Sequence, residues 1–167
     1  MYYSKIKYND VANGPGLRTS LFTSGCTHHC KGCFQPETWN FKNGEPFTAE
    51  TIKQIIEKSS NRYTAGLSLL GGDPLDNVQG ILPLLGEFKQ TFGHTKTIWL
   101  WTGYRFEEIL KDDLKSKVLP FVDVIVDGRF EEDLKDITLK YMGSTNQMVI
   151  DVPKSLETAS IVLYSES

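Results

Sequence analysis

The chain has 167 residues, of which 40% are hydrophobic and 23% are charged, as in ordinary globular proteins. This length predicts one domain over residues 1–167, long enough to bury a core without disulfides. The net charge of −3 and the pI of about 5.6 argue against nucleic-acid binding. Residues 1–8 lack the apolar stretch of a signal peptide, and no apolar run is long enough to cross a membrane, so we expect a cytoplasmic protein that does not act at a membrane.

The segment before the cysteines contains a turn and a short strand. Asn-Gly and Pro-Gly pairs in Asp10–Gly16 favour tight turns. Arg18 follows directly, where its guanidinium could approach an anion. Thr19–Thr23 is predicted to be a strand that ends at Ser24 and Gly25, immediately before the cysteine motif.

Cys26, Cys30 and Cys33 are the only cysteines in the chain, and they have the spacing C-x₃-C-x₂-C. Thiolates bind iron–sulfur clusters, and a cubane cluster needs four ligands. Because there is no fourth cysteine, one iron would keep an open coordination position that a small molecule can occupy. The spacing therefore favours a [4Fe–4S] cluster with one exchangeable site.

Three other interpretations of these cysteines stay open at this point. A zinc site could use His28 or His29 as a fourth ligand, although a histidine between two ligands would have to fold back onto the same metal. A disulfide with one spare thiol would suit a secreted protein. The cysteines could also be unrelated core residues.

A helix and a buried strand are predicted next. Thr48 is a suitable N-cap, and isoleucines at positions 52, 55 and 56 have helical spacing. Gly66–Leu70 is an apolar run typical of a buried strand, and it leads into Gly71-Gly72-Asp73-Pro74. Two adjacent glycines let the backbone approach a ligand closely, while a plain turn is the alternative interpretation.

The second half of the chain continues this alternation of helices and strands. Ile81–Phe92 has helical spacing, with Pro83 expected in the first turn and Gly93 as the C-cap. The later predicted elements are a strand at Thr97–Trp101, a short helix near Phe106–Leu110, a strand at Val122–Val126 and two apolar runs, Met148–Val152 and Ile161–Tyr164.

Alternating strands and helices favour a parallel α/β sheet. Four of the predicted strands are followed by glycine-bearing loops, at Gly25, Gly72, Gly103 and Gly128. Carboxyl ends of parallel strands lie at one edge of a sheet, where ligands bind. We therefore expect a small molecule at this edge, with the cysteines beside it. The chain is too short for eight βα units, so any barrel is partial and laterally open, and its open side can admit a macromolecule.

Taken together, these motifs resemble the radical S-adenosylmethionine (SAM) enzymes and, within them, the activating proteins of class III (anaerobic) ribonucleotide reductase. The resemblance covers most of the chain, in order and at the usual spacings. Met142 stands where that family often has arginine, and the tail after Val152 is longer than the family pattern. The matching segments are Asn13-Gly14-Pro15-Gly16, Ser24-Gly25-Cys26, Gly32-Cys33, Trp39, Gly71-Gly72-Asp73-Pro74-Leu75, Trp101-Thr102-Gly103-Tyr104, Val126-Asp127-Gly128-Arg129-Phe130 and Gly143-Ser144-Thr145-Asn146-Gln147.

The resemblance implies two cofactors, a [4Fe–4S] cluster and SAM. It also implies the fold, which is a partial, laterally open (βα) barrel of the radical SAM type with a mostly parallel sheet. Gly72 would contact the methionyl end of SAM through its backbone. The implied site residues are Cys26, Cys30 and Cys33 for the cluster and Gly32, Cys33, Phe34, Gly71, Gly72 and Asp73 for SAM.

The implied activity is that of an oxidoreductase that activates another enzyme. A one-electron donor, such as flavodoxin or a thioredoxin-type reductant, would reduce the cluster, and SAM would be cleaved to methionine and a 5′-deoxyadenosyl radical. That radical would take a hydrogen atom from a glycine in the glycyl-radical loop of the reductase large subunit. The alternatives are an activator of another glycyl-radical enzyme, such as pyruvate formate-lyase, and a non-catalytic Fe–S or zinc module, which would need a fourth protein ligand.

Overall fold

One mixed sheet of seven strands organises the chain in the computed structural model, which describes residues 1–33 and 36–166. The strands are β1 (Tyr2–Asp10), β2 (Leu17–Thr23), β3 (Glu45–Pro46), β4 (Thr64–Gly71), β5 (Thr97–Trp101), β6 (Val124–Asp127) and β7 (Met148–Asp151). The α-helices are α1 (Ala49–Lys58), α2 (Val78–Phe92), α3 (Phe106–Lys111) and α4 (Val152–Thr158). Short 3₁₀ helices occupy Pro36–Trp39, Pro74–Asp76, Lys115–Val118 and Glu132–Leu134.

Four neighbouring strands, β2, β4, β5 and β6, run parallel to one another. The strand β1 lies antiparallel to β2 and pairs with β3, and β7 lies antiparallel to β6 at the other end. Within the described residues the sheet ends at β3 and β7 and does not close. The prediction of an α/β fold with a mostly parallel, open sheet is confirmed at this level.

The two faces of the sheet have different surroundings. One face carries Leu21, Leu69 and Leu100, which are fully buried in the main apolar core with residues of α1, α2 and α3. Because side chains alternate along a strand, their neighbours Phe22 and Trp101 point to the other face. That second face is the one available to a ligand.

The helix α1 begins as the sequence predicts, because Thr48 is its N-cap and accepts a hydrogen bond from the Thr51 N–H. The placement of Pro83 in a first turn is wrong. The helix α2 starts at Val78, so Pro83 lies in its second turn. The start of α2 was missed because the apolar spacing becomes regular only at Ile81. The helical hydrogen bonds begin earlier, since the Asn77 carbonyl accepts from the N–H of Ile81.

Two strands and the tail were not assigned from the sequence. The strands β1 and β3 flank the parallel strands, and β1 supplies residues to the face opposite the helices. After α4 the chain returns along β7, where Ile150 and Leu163 form an isolated bridge. Tyr164 thereby packs edge-on against Trp99, with ring centroids 4.9 Å apart. The described helices include none that is both long and apolar enough to cross a membrane.

Candidate cofactor site

The loops after the four parallel strands meet at one cavity of about 610 Å³, a size common for small-molecule sites. Each loop contributes to its wall, through Cys26, Gly72, Gly103 and Gly128. The predicted gathering of these loops at one edge of the sheet is confirmed. The floor is formed by side chains that lie next to one another across the sheet: Phe22, Leu70, Trp101 and Val126.

All three cysteines line this cavity, and all three are free thiols, so no disulfide joins them. Cys26 is buried, whereas Cys30 and Cys33 are partly exposed. The Cys33 N–H donates to the Cys30 carbonyl at 3.1 Å, which forms a turn between the last two cysteines. His29 and Gly32 have φ values of 50° and 74°, and these left-handed residues let the loop turn back on itself.

The positions of the candidate ligand atoms show whether one metal ion could bind all three cysteines. Sulfur ligands of one tetrahedral zinc lie about 3.8 Å apart, given Zn–S bonds of about 2.3 Å. Among the described residues, the group whose ligand atoms all lie within 4.8 Å of one another is Cys26, His28 and Asp76 rather than the three cysteines. The three thiols therefore do not surround a single ion, and their wider spacing is compatible with a cluster, in which each thiolate binds a different iron.

The cysteine loop also provides hydrogen bonds to the sulfur atoms. Burial raises the pKa of the Cys26 thiol to about 11, and burial also raises the pKa of Cys30. Backbone N–H groups of His28 and His29 at Cys26, and of Phe130 at Cys30, partly offset these increases. Such N–H···S hydrogen bonds stabilise thiolate ligands and tune the potential of a bound cluster.

Asp73 connects three of the loops through its carboxylate. It is 1% exposed and accepts hydrogen bonds from the Thr102 hydroxyl at 2.9 and 3.0 Å and from the N–H groups of Gly103 at 2.9 Å and Leu75 at 3.0 Å. His28 Nε2 lies 2.7 Å from Asp73 Oδ2. The carboxylate is therefore engaged by the protein itself.

A second carboxylate, Asp76, supports the same loops from the 3₁₀ helix Pro74–Asp76. It accepts from the backbone N–H of Thr27 at 2.9 Å and from the Thr27 hydroxyl at 3.1 Å. The Tyr104 hydroxyl also donates to it, and burial together with this bond raises the pKa of Tyr104. The cysteine loop is thus attached to the end of β4 at two acidic positions.

The turn at Gly71 and Gly72 lies against the end of β2. The Gly72 N–H donates to the Thr23 carbonyl at 2.8 Å, and the Asp73 N–H donates to the Gly25 carbonyl at 2.8 Å. Gly71 has a φ of 106°, and a Cβ there would lie 2.5 Å from the Thr23 carbonyl oxygen. Only glycine fits this position without a shift of the backbone.

The structure brings most of the predicted SAM residues together at the cavity: Cys33, Gly71, Gly72 and Asp73. Gly32 is exposed outside the cavity wall, where a Cβ would lie 2.9 Å from the Glu132 carboxyl carbon. Phe34 lies outside the described residues. The expectation that Arg18 meets an anion is wrong, because its side chain is fully buried and bonded to neutral acceptors.

Several cavity residues were missed or misjudged from the sequence. Lys5 and Lys7 line it from β1, and the alternating residues around Ile6 were the signal for that strand. His28 was considered only as a zinc ligand. Trp39, which the sequence comparison named without a role, also lines the cavity, and its buried Nε1–H has no acceptor among the described residues, so it is a donor that a bound group can use.

Comparisons with known proteins agree with this site. The 4Fe-4S single cluster domain family matches residues 12–150. The anaerobic ribonucleoside-triphosphate reductase-activating protein of Pasteurella multocida (strain Pm70) is 40% identical over 153 residues, covering 89% of this chain and 96% of that protein. Proteins of the same name are 44% identical over 149 residues in Enterobacteria phage T4 (88% of this chain, 92% of that protein) and 41% identical over 153 residues in Escherichia coli (strain K12) (89% and 97%).

Proposed function

The chain belongs to the family of anaerobic ribonucleoside-triphosphate reductase-activating proteins, and from this premise we propose that it is a radical SAM activase that generates a glycyl radical on the anaerobic ribonucleotide reductase. One observation carries the proposal at the level of the site. Three free cysteines, whose thiols do not surround a single metal position, line the same cavity as the Gly71-Gly72 turn.

The residues present fit a [4Fe–4S] cluster beside a small ligand. Cys26, Cys30 and Cys33 would hold the cluster, and the backbone donors at the sulfurs and the Trp39 Nε1–H supply hydrogen bonds that such a group accepts. A bound, reduced cluster would supply the electron for cleavage of SAM, and the chemistry supplied to the reductase would be removal of a hydrogen atom from one of its glycines.

The chain itself binds and orients SAM. The Gly72 N–H is used by Thr23, so the backbone group of Gly72 suited to the methionyl amino group is the carbonyl. Phe22, Leu70 and Trp101 give the cavity an apolar floor, against which a bound SAM would be shielded from water on that side. Together with the open sheet, these features support assignment of the fold to the partial barrels of radical SAM enzymes.

The open edge of the cavity suits a macromolecular substrate. Lys5 and Lys7 on β1 line the cavity and are exposed, and the Lys5 ammonium lies over the Phe22 ring, 4.5 Å from its centroid. A loop of the reductase that enters here would cover the cavity and bring its glycine to SAM. Tight coupling of SAM cleavage to this partner is expected, because a reactive carbon in an open site would otherwise react wastefully.

The electron donor would approach Cys30 from the other side of the cysteine loop. A second cavity of about 450 Å³ shares Cys30 and His28 with the first and is lined by exposed cations at Lys31, Arg105 and Arg129, together with two glutamates. Flavodoxin or a thioredoxin-type reductant is the proposed class of donor.

Isotope transfer tests this function directly. The reconstituted protein is mixed anaerobically with a one-electron reductant, SAM and anaerobic ribonucleotide reductase deuterated at the Cα of its glycines. We expect one 5′-deoxyadenosine per glycyl radical, with deuterium in the 5′ position. The radical should give an EPR doublet, split by the remaining α-hydrogen, when the reductase is unlabelled, and this splitting should collapse when the reductase is deuterated. A reductase whose radical glycine is replaced by alanine is the control, and labelled 5′-deoxyadenosine formed with that control would contradict the proposal. Pyruvate formate-lyase as the substrate tests the alternative partner.

A further inference from the structure

We propose that His28 is a positioning residue that couples the cluster-binding loop to the SAM-binding turn through its hydrogen bond to Asp73. This inference rests on the proposed function, because it concerns how the same site fixes the position of the cluster relative to SAM. It assigns to His28 no contact with the reacting atoms and no role as a metal ligand.

The bond between the two side chains is buried and short. His28 Nε2 lies 2.7 Å from Asp73 Oδ2, and the side chains are only 3% and 1% exposed. The Tyr104 ring packs edge-on against the imidazole, with centroids 4.4 Å apart. Gly103 leaves room for the ring, since a Cβ there would lie 2.6 Å from His28 Cδ2. Because this hydrogen bond to a carboxylate is buried and surrounded by packed side chains, it fixes the orientation of His28 relative to Asp73.

The hydrogen bond joins a residue of the cluster-binding loop, His28, to a residue of the SAM-binding turn, Asp73. On one side, the His28 backbone N–H is a hydrogen-bond donor to Cys26, so any displacement of His28 moves a group that contacts a cluster ligand. On the other side, Asp73 directly follows Gly72, whose carbonyl is proposed to receive the methionyl amino group. The hydrogen bond therefore relates the cluster to the SAM position across 45 residues of sequence.

Asp73 is well placed to serve as the fixed end. Its carboxylate is also held by Thr102 and by the N–H groups of Gly103 and Leu75, so its position does not depend on His28. The cysteine loop contacts this part of the protein through His28 at Asp73 and through Thr27 at Asp76 and Tyr104, and the Gly25 carbonyl before the loop accepts from the Asp73 N–H. Loss of the imidazole bond should therefore loosen the cluster loop more than the SAM turn.

The test compares three substitutions at His28 in the reconstituted protein. His28→Leu removes the donor, His28→Asn keeps a polar group that is too short to reach Asp73, and His28→Gln places an amide N–H near the position of Nε2. We expect all three to bind about four irons, because the cysteines are unchanged. The SAM concentration that changes the EPR spectrum of the reduced cluster should rise about tenfold in the Leu and Asn variants, as for other residues that orient ligands, and should stay within about twofold in the Gln variant.

The control is His94→Leu, which makes the same change at a histidine outside the site. His94 is exposed in the loop after α2 and does not line the cavity. This variant should behave as the unmodified protein. The inference is overturned if His28→Leu and His28→Asn bind SAM normally, if His28→Gln is as impaired as they are, or if His94→Leu is equally impaired. Failure of the unmodified protein to bind SAM would instead overturn the proposed function.

Discussion

Arg18 Nε donates to the Ser68 hydroxyl at 2.8 Å, which joins β2 to β4 on the face of the sheet opposite the helices. Arg18 is fully buried, and its other donors go to the carbonyls of Pro15, Leu67 and Thr97 and to the Thr97 hydroxyl. None of these acceptors is a carboxylate. Burial lowers the pKa of the guanidinium to about 10, so it remains charged at neutral pH. The guanidinium of Arg18 thus binds neutral groups of β4, of β5 and of the loop that precedes β2.

Replacement of Arg18 by methionine should destabilise the fold. The variant keeps most of the volume but leaves buried carbonyls without donors, each at a cost of about 1–3 kcal/mol. We expect the free energy of unfolding, measured in urea, to fall by roughly 3 kcal/mol. Arg62→Met is the control, because Arg62 is exposed, and it should change stability by less than about 0.5 kcal/mol. Equal stabilities of the two variants would contradict the role of Arg18.

The cluster assignment predicts the metal content. Anaerobic reconstitution should give about four irons and four sulfides per chain, and Cys26→Ala, Cys30→Ala or Cys33→Ala should each abolish the cluster because each thiolate holds a different iron. Iron and sulfide analysis together with the visible absorption spectrum measures this. One tightly bound zinc per chain without uptake of iron would show that the cysteines form another kind of site.

The two adjacent glycines should differ in their response to substitution. Gly72→Val places a branched side chain where the methionyl group is proposed to bind, so SAM affinity should fall at least about tenfold while the iron content is unchanged. Titration of SAM against the EPR spectrum of the reduced cluster measures this. An unchanged affinity would show that this turn does not contact SAM.

Gly71→Ala should mainly affect stability. The left-handed φ of 106° and the 2.5 Å approach of a Cβ to the Thr23 carbonyl oxygen both oppose a side chain there. We expect a loss of about 1–3 kcal/mol in the free energy of unfolding of the cluster-free chain. Gly86→Ala is the control, since a Cβ at Gly86 meets no atom within 4 Å. It should be neutral or slightly stabilising, because alanine favours helices.

The C-terminal tail should protect Trp99. The Tyr164 and Tyr141 rings both pack edge-on against Trp99, at centroid distances of 4.9 and 4.8 Å, and Glu166 accepts a hydrogen bond from Tyr141. Tyr164→Ala should therefore expose Trp99, shift tryptophan emission to longer wavelength and lower stability by about 1–2 kcal/mol. Tyr164→Phe keeps the ring and should resemble the unmodified protein. An unchanged emission spectrum in Tyr164→Ala would contradict the packing role.

The sequence by itself determined the features that depend on short-range patterns. The spacing of Cys26, Cys30 and Cys33, the capping of α1 by Thr48 and the apolar runs of β4 and β5 are each complete within a few residues. Because parallel strands place their carboxyl ends together, the glycine loops could also be placed beside the cysteines. The start of α2 and the two-residue strand β3 were missed because their local patterns are weak, and β1 was missed although its residues alternate around Ile6.

Only the tertiary structure decided the partners of the polar side chains. Arg18 meets Thr97 across 79 residues, and His28 meets Asp73 across 45 residues, and no local pattern specifies such pairs. The same holds for Tyr164, which reaches Trp99 only because the tail returns along β7. Local spacing is set by backbone geometry within one element, whereas these contacts arise from strand order and register, which depend on packing of the whole sheet. The residues proposed to bind the cofactors could therefore be named from the sequence, but the residues that hold them in place could not.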